Sequence, residues 1–318
     1  MELINFINND KTEHSSLIEK VCDNLSLPDS TFLGTRITKK MLVDNNDLNS
    51  HDKKLVTDVI QSIEWLNTLK PETLNVPVYV TDTVEYIEIA VIRVVLKNAR
   101  IEQNSKNKAK LNTSILSKVA KLLHTLIPYP VILLLELGEE LAISLADKRI
   151  NQADKSKLVI EHIYNSDWLS STGLTENENN FLNDFSLKNI SSLNYFELYQ
   201  GFISMLIGLE TSKISGRYLF KNNSGNNLST EQNDSEAESQ EELLQYDTFS
   251  KPKVSASFSE KTNEDKTALL KELESLEADL SSIRNKIKKE TQMNTKMRLN
   301  VEARKIKQAI TAIKTQLA

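Results

Sequence analysis

The chain reads as an α+β protein: a mixed β-sheet covered by helices, then a disordered acidic linker and a C-terminal coiled coil or helical hairpin. Three observations predict this. A dense β-branched run occupies residues 76–97, amphipathic helical stripes flank it, and from Leu269 apolar residues recur at alternating steps of four and three. The divisions expected are residues 1–220 for the domain, 221–262 for the linker and 263–318 for the tail.

Leu17, Ile18, Val21 and Leu25 fall at helical spacing and Pro28 stops them, which predicts a short amphipathic helix. Over residues 52–69, Leu55, Val56, Val59, Ile60, Ile63 and Leu66 share one helical stripe that ends before Pro71, predicting a core helix. Both alternating faces of residues 86–96 are mostly apolar, so this stretch is expected as a central strand covered on both sides. Ile115, Leu116, Val119, Leu122, Leu123 and Leu126 predict a helix closed by Pro128. Residues 130–146 read as strand, turn at Gly138 and strand, with a further strand over 158–164 and a helix over 195–209.

Residues 221–260 carry eight acidic and three basic residues among Ser, Asn and Gln, too little apolar surface to offset ordering, which predicts a disordered linker. In the tail, Leu269, Leu273, Leu276, Leu280, Ile283 and Ile287 make a heptad seam that falters over 290–296 and resumes at Ile306, Ile310, Ile313 and Leu317. One interrupted helix and two helices folded on each other both fit. Residues 264–279 are acidic, whereas residues 284–314 hold ten basic residues against Glu290 and Glu302.

A formal charge of -5 argues against a uniformly basic nucleic-acid binder. The single cysteine, Cys22, excludes an internal disulfide and fits a reducing compartment, and no apolar run approaches a membrane span, so a cytoplasmic protein without a membrane partner is expected. Seven glycines leave little room for a glycine-rich phosphate loop.

No catalytic residue, metal ligand or cofactor is expected. His14, His51, His124 and His162 lie on separate elements without metal spacing, and Cys22 lacks a neighbouring base. A metal-dependent nuclease would use Asp82, Glu85 and Glu88 with Lys97, but Glu85 and Lys97 are separated by roughly 40 Å of strand. Asp147 and Lys148 are adjacent and point to opposite faces of a strand. Lys286, Lys288, Lys289, Lys296, Arg298, Arg304, Lys305 and Lys307 are candidates for phosphate contact, without an interleaved aromatic residue for base stacking. The six seam residues from Leu269 to Ile287 are candidates for burial against a protein partner or a second copy.

The succession Leu33-Gly34-Thr35-Arg36-Ile37-Thr38-Lys39-Lys40, Ile63-Glu64-Trp65, Leu69-Lys70-Pro71-Glu72-Thr73-Leu74-Asn75-Val76, Leu96-Lys97 and Ile127-Pro128-Tyr129-Pro130 resembles a bacterial family known as domain of unknown function 4391. The resemblance spans about residues 27–209, and the tail from Lys288 to Asn300 is also similar. Family genes often lie beside helicases and DNA methyltransferases of restriction or phage-defence type, which implies an accessory role there. Trp65, Asn75 and Pro128 would serve as core aromatic, turn former and helix terminator. The long linker and Thr38, where a proline is expected, depart from the pattern. The expected function is a non-catalytic adaptor that joins a larger DNA-processing partner through its C-terminal helices. A nuclease component and a direct DNA-binding subunit are the alternatives.

Overall fold

A computed structural model describes residues 16–44, 48–97, 105–154, 158–219 and 262–317. The chain divides into two compact units, Met1–Lys221 and Asn222–Ala318. The expected linker lies outside the described residues, apart from Thr262.

Ser16 is the first described residue of the first unit. Its hydroxyl accepts the Glu19 amide while the Glu19 carboxylate accepts the Ser16 amide, a reciprocal cap that starts α1 (Leu17–Leu25) with the predicted buried stripe. β1 (Phe32–Ile37) follows, exposed along nearly its whole length, and then α2 (Lys39–Asp44), capped by the Thr38 hydroxyl on the Met41 amide.

The long helix expected over residues 52–69 does not form. Helix α3 (Ser50–Lys54) runs into a π-helical turn at Leu55–Val59, and from Ile60 the chain is a strand, β2 (Ile60–Leu69). Two bulges explain the misleading spacing. Register slips between Ile60 and Ser62 and between Trp65 and Asn67, so the residues sharing a face are Ile60, Ile63, Trp65 and Thr68, opposite Leu96, Val94, Ile92 and Ala90. Steps of three and two along a bulged strand imitate helical periodicity.

Past α4 (Pro71–Leu74), the β-branched run splits. β3 (Tyr79–Val80) and β4 (Glu85–Tyr86) form a small sheet of their own, and β5 (Ile89–Leu96) is the buried central strand that the two apolar faces predict. Then come α5 (Ser105–Leu126), β6 (Val131–Leu137), β7 (Glu140–Ile150), β8 (Leu158–Asn165), β9 (Leu169–Ser170), α6 (Glu176–Asp184) and α7 (Tyr195–Ser215). Gly138 adopts φ 66° in the β6–β7 turn, a conformation that side chains disfavour.

The seven-stranded sheet runs β1-β2-β5-β6-β7-β8 with β9 also on β7; among these pairings β5–β6 alone is parallel, because α5 carries the chain back across the sheet. One face packs Ile92, Val94, Leu133 and Leu135 against Leu116, Val119 and Leu123 of α5. Each such side chain removed from water contributes about 1.5–3 kcal/mol before entropy is subtracted. α7 lies over the other face, where the Tyr199 hydroxyl accepts the Ala146 amide and donates to the Val131 carbonyl, each at 2.9 Å. α6 packs against both α1 and α7, and the Asn24 amide reaches the Leu182 carbonyl at 3.0 Å.

The second unit holds α8 (Asn263–Lys289) and α9 (Met293–Leu317), two separate helices.

Candidate functional site

α8 and α9 fold back on each other as an antiparallel hairpin. Glu277 meets Lys314 at 2.9 Å while residues 290–292 form the turn. The Glu290 carboxylate makes that turn by accepting the amides of Thr291 and Gln292, both at 2.8 Å, which occupies donors at the start of α9. Of the heptad seam, Leu273, Leu280 and Ile283 are buried and Leu269, Leu276 and Ile287 are half-buried. Ala303, Ile310, Ile313 and Leu317 supply the buried positions of α9. The seam is thus closed within the chain, an arrangement the spacing left open beside an intermolecular coil.

Outside the seam, Met293, Met297 and Val301 stand one helical turn apart along α9, 71%, 62% and 57% exposed. Around them lie the predicted phosphate candidates Lys286, Lys288, Lys289, Arg298, Arg304 and Lys305, all exposed and none in an ion pair with a described residue. The turn end of the hairpin therefore combines an open apolar row with an excess of positive charge. The periodic pattern hides this row, because its residues sit four apart on the outward side.

In the first unit the nuclease candidates stay apart. Asp82 and Glu85 belong to the β3–β4 hairpin, Glu88 precedes β5, and Lys97 follows its far end and donates to the Thr57 carbonyl at 2.7 Å. Partial burial raises the Glu88 carboxyl above its usual range, opposed by the nearby Lys70 charge. Asp147 and Lys148 do face opposite sides. The Asp147 carboxylate accepts from Tyr164 and Gln200, whereas Lys148 is buried and donates to the carbonyls of Ile127 and Tyr129 at 2.7 and 2.6 Å. Burial brings the Lys148 ammonium down to about 7.

His124 is buried beside Ser144, with 3.0 Å between Nε2 and Oγ, and burial holds it neutral. His51 is exposed on α3, His162 packs edge-on against Tyr164, and His14 lies outside the described residues. Burial pushes the Cys22 thiol up to about 11, which suits a packed side chain and not a nucleophile. Among the described residues no group of three or more His, Cys, Asp or Glu is placed to hold a metal ion.

Two features escape a linear reading because they need the sheet register. Arg36, Glu64 and Arg93 are cross-strand neighbours on β1, β2 and β5, and Arg93 clamps Glu136 on β6, so opposite charges alternate across four strands. Beyond the end of β1 the Lys39 ammonium reaches the same Thr57 carbonyl as Lys97, at 3.4 Å.

The residues of the resembling motifs take structural places. Trp65 donates to the Asn67 carbonyl and the Thr68 hydroxyl and meets Tyr129 edge-on; Asn75 turns the chain at φ 51°; Pro128 follows the end of α5. The model of a family described as "Domain of unknown function (DUF4391)" matches residues 25–246. No curated protein and no solved structure matches the chain.

Proposed function

The chain belongs to the DUF4391 family, and from that premise we propose that it is a cytoplasmic, non-catalytic adaptor that fastens to a larger DNA-processing partner of helicase or methyltransferase type. The C-terminal hairpin is the docking arm. The observation that carries this reading is the open row of Met293, Met297 and Val301 on a helix pair rich in exposed basic residues. Unbranched methionines adapt to a partner surface, and a hairpin that has already buried its own seam presents them with little further ordering cost. The complementary partner surface is apolar with an acidic rim. A role in restriction or phage defence is what the family resemblance implies. No helix among the described residues is long and apolar enough to cross a membrane, in keeping with a partner that is not a membrane.

The test is affinity purification of the full chain from its own cells beside a Met293→Asp/Met297→Asp variant of equal helicity and melting temperature. A helicase or methyltransferase recovered in fixed ratio with the wild type and absent with the variant supports the adaptor. Equal recovery with both removes the hairpin from the interface. Direct DNA binding by the hairpin is the second reading, favoured by its six exposed basic residues that pair with no described residue; it requires that Lys288→Gln/Lys289→Gln weaken DNA retention in the purified protein alone.

A further inference from the structure

β1 is the most exposed strand of the sheet and occupies its edge, yet its side chains are not those of a solvated border. Phe32 is 65% exposed and Leu33 51%. Phe32 is also held in place: its ring lies over Gly34, close enough that a β-carbon there would strike it, and Gly34 adopts φ 59°. The outer end of the ring lies against Gly34, and most of the residue is open to solvent. A large aromatic fixed in this way is a flat apolar platform rather than a loose surface side chain.

Toward the far end of the same strand basic residues gather. Arg36 is exposed, and Lys39 follows at the start of α2. The ammonium groups of Lys39 and Lys97 share the Thr57 carbonyl, so they lie within about 6 Å of each other and repel. The end of the π-helical turn explains the gathering, since its carbonyl attracts cations. A single carbonyl dipole leaves most of two full charges uncompensated. Asp58, bonded to the Thr57 hydroxyl, is the carboxylate that offsets Lys39, and Glu64, across from Arg36, leans toward Arg93 at 3.9 Å. Arg36, Lys39 and Lys97 make no ion pair with a described residue. Partial burial and the Lys97 charge both lower the affinity of Lys39 for its proton.

A stacking platform and a cation cluster on one strand, four residues apart in the chain with a bulge between them, match the two features that sequence-tolerant binders of single strands use. We propose that the β1 edge binds single-stranded nucleic acid, with a base stacked on Phe32 and backbone phosphates held by Arg36, Lys39 and Lys97. The site belongs to the first unit and is independent of the hairpin, so it stands or falls separately from the adaptor reading.

Stacking and phosphate binding leave different signatures. Fluorescence anisotropy of a labelled single-stranded oligonucleotide of mixed sequence, and of its duplex, is followed against full-length protein over a salt series. The wild type is expected to bind the single strand more tightly than the duplex. Phe32→Ala weakens that binding about tenfold at every salt concentration, because stacking is not ionic. Lys39→Gln/Lys97→Gln weakens it most at low salt and flattens the log-log salt slope by about 1.4, near 0.7 for each phosphate no longer neutralised. Far-ultraviolet dichroism and thermal melting of each variant control for folding. Should the lysine variant not fold, Phe32→Ala and Arg36→Gln, both at exposed positions, decide the matter. No binding by the wild type, tighter binding of the duplex, or unchanged affinity in these variants overturns the proposal. Loss of binding only in Lys288→Gln/Lys289→Gln assigns the nucleic acid to the hairpin instead and overturns it equally.

Discussion

Arg93 grips Glu136 at two points across the parallel strands β5 and β6, Nε to Oε1 at 2.7 Å and Nη2 to Oε2 at 3.0 Å. The pair is unequal in exposure, with 35% of the Arg93 side chain open to solvent and 15% of Glu136. Glu64 stands 3.9 Å away on the other side of Arg93. Removing the arginine therefore leaves two carboxylates facing each other, one mostly buried, whereas removing Glu136 leaves Arg93 a second partner.

Arg93→Ala is expected to cost about 1–3 kcal/mol, at or below the range for fully buried pairs, and Glu136→Ala less. Urea unfolding midpoints of the two variants check the order. An equal or reversed loss would show that the ladder acts through packing and not charge.

Lys148 supplies a pH-dependent term. Its folded value of about 7 lies below the ordinary 10.5, so between these values the unfolded chain holds more protons and stability rises with pH. The contribution is complete above 10.5 and lost as pH falls toward 7. The slope is at most about 1.4 kcal/mol per unit, so from pH 7 to 9 the wild type should gain about 2 kcal/mol over Lys148→Met. The window stops at 9 because there the Cys22 thiol, raised to about 11, begins to act in the opposite sense. Chemical denaturation of both proteins at the two pH values measures this; parallel curves would refute a buried, shifted lysine.

Gly201 lies in α7 where the helix crosses Ile190, and a β-carbon would run into the Ile190 side chain. Alanine gains up to about 1 kcal/mol of helix propensity over glycine, but overpacking against a stiff β-branched neighbour costs about 1–3 kcal/mol. Gly201→Ala should thus destabilise on balance, by thermal melting, and Ile190→Ala in the same chain should recover part of the loss. A stabilised single variant would mean that α7 can shift.

Where one period ruled a segment, the sequence was legible. β5 and β6, α5, the β6–β7 hairpin, α7 and both tail helices follow from runs of apolar residues with one spacing and a clear stop. β2 did not, because its two bulges mix steps of two and three and place Ile60 and Ile63 on one face as a helix would. β1 was missed for the opposite reason: an exposed edge strand with Gly34 at its bulge carries no burial pattern to detect. The seam residues were visible as a seam, but whether they meet α9 or another chain depends on the turn that the Glu290 carboxylate makes. The β1 surface was invisible because Arg36, Lys39 and Lys97 meet only once β1, β2 and β5 are in register.

A nascent chain that has reached Leu137 already contains β5, α5 and β6, yet it lacks Lys148. The parallel pair must enclose all of α5 as a loop, and closing such a loop is unfavourable until other interactions hold its ends. Lys148 grips the exit of that loop, at Ile127 and Tyr129, from a strand synthesised later. His124 likewise finds Ser144 only on β7. The β6–β7 hairpin is local and forms quickly, so assembly is expected to proceed backward along the chain: hairpin first, α5 clamped onto it next, and β5 drawn in last, with the whole of β7 clear of the ribosome before the centre of the sheet becomes permanent.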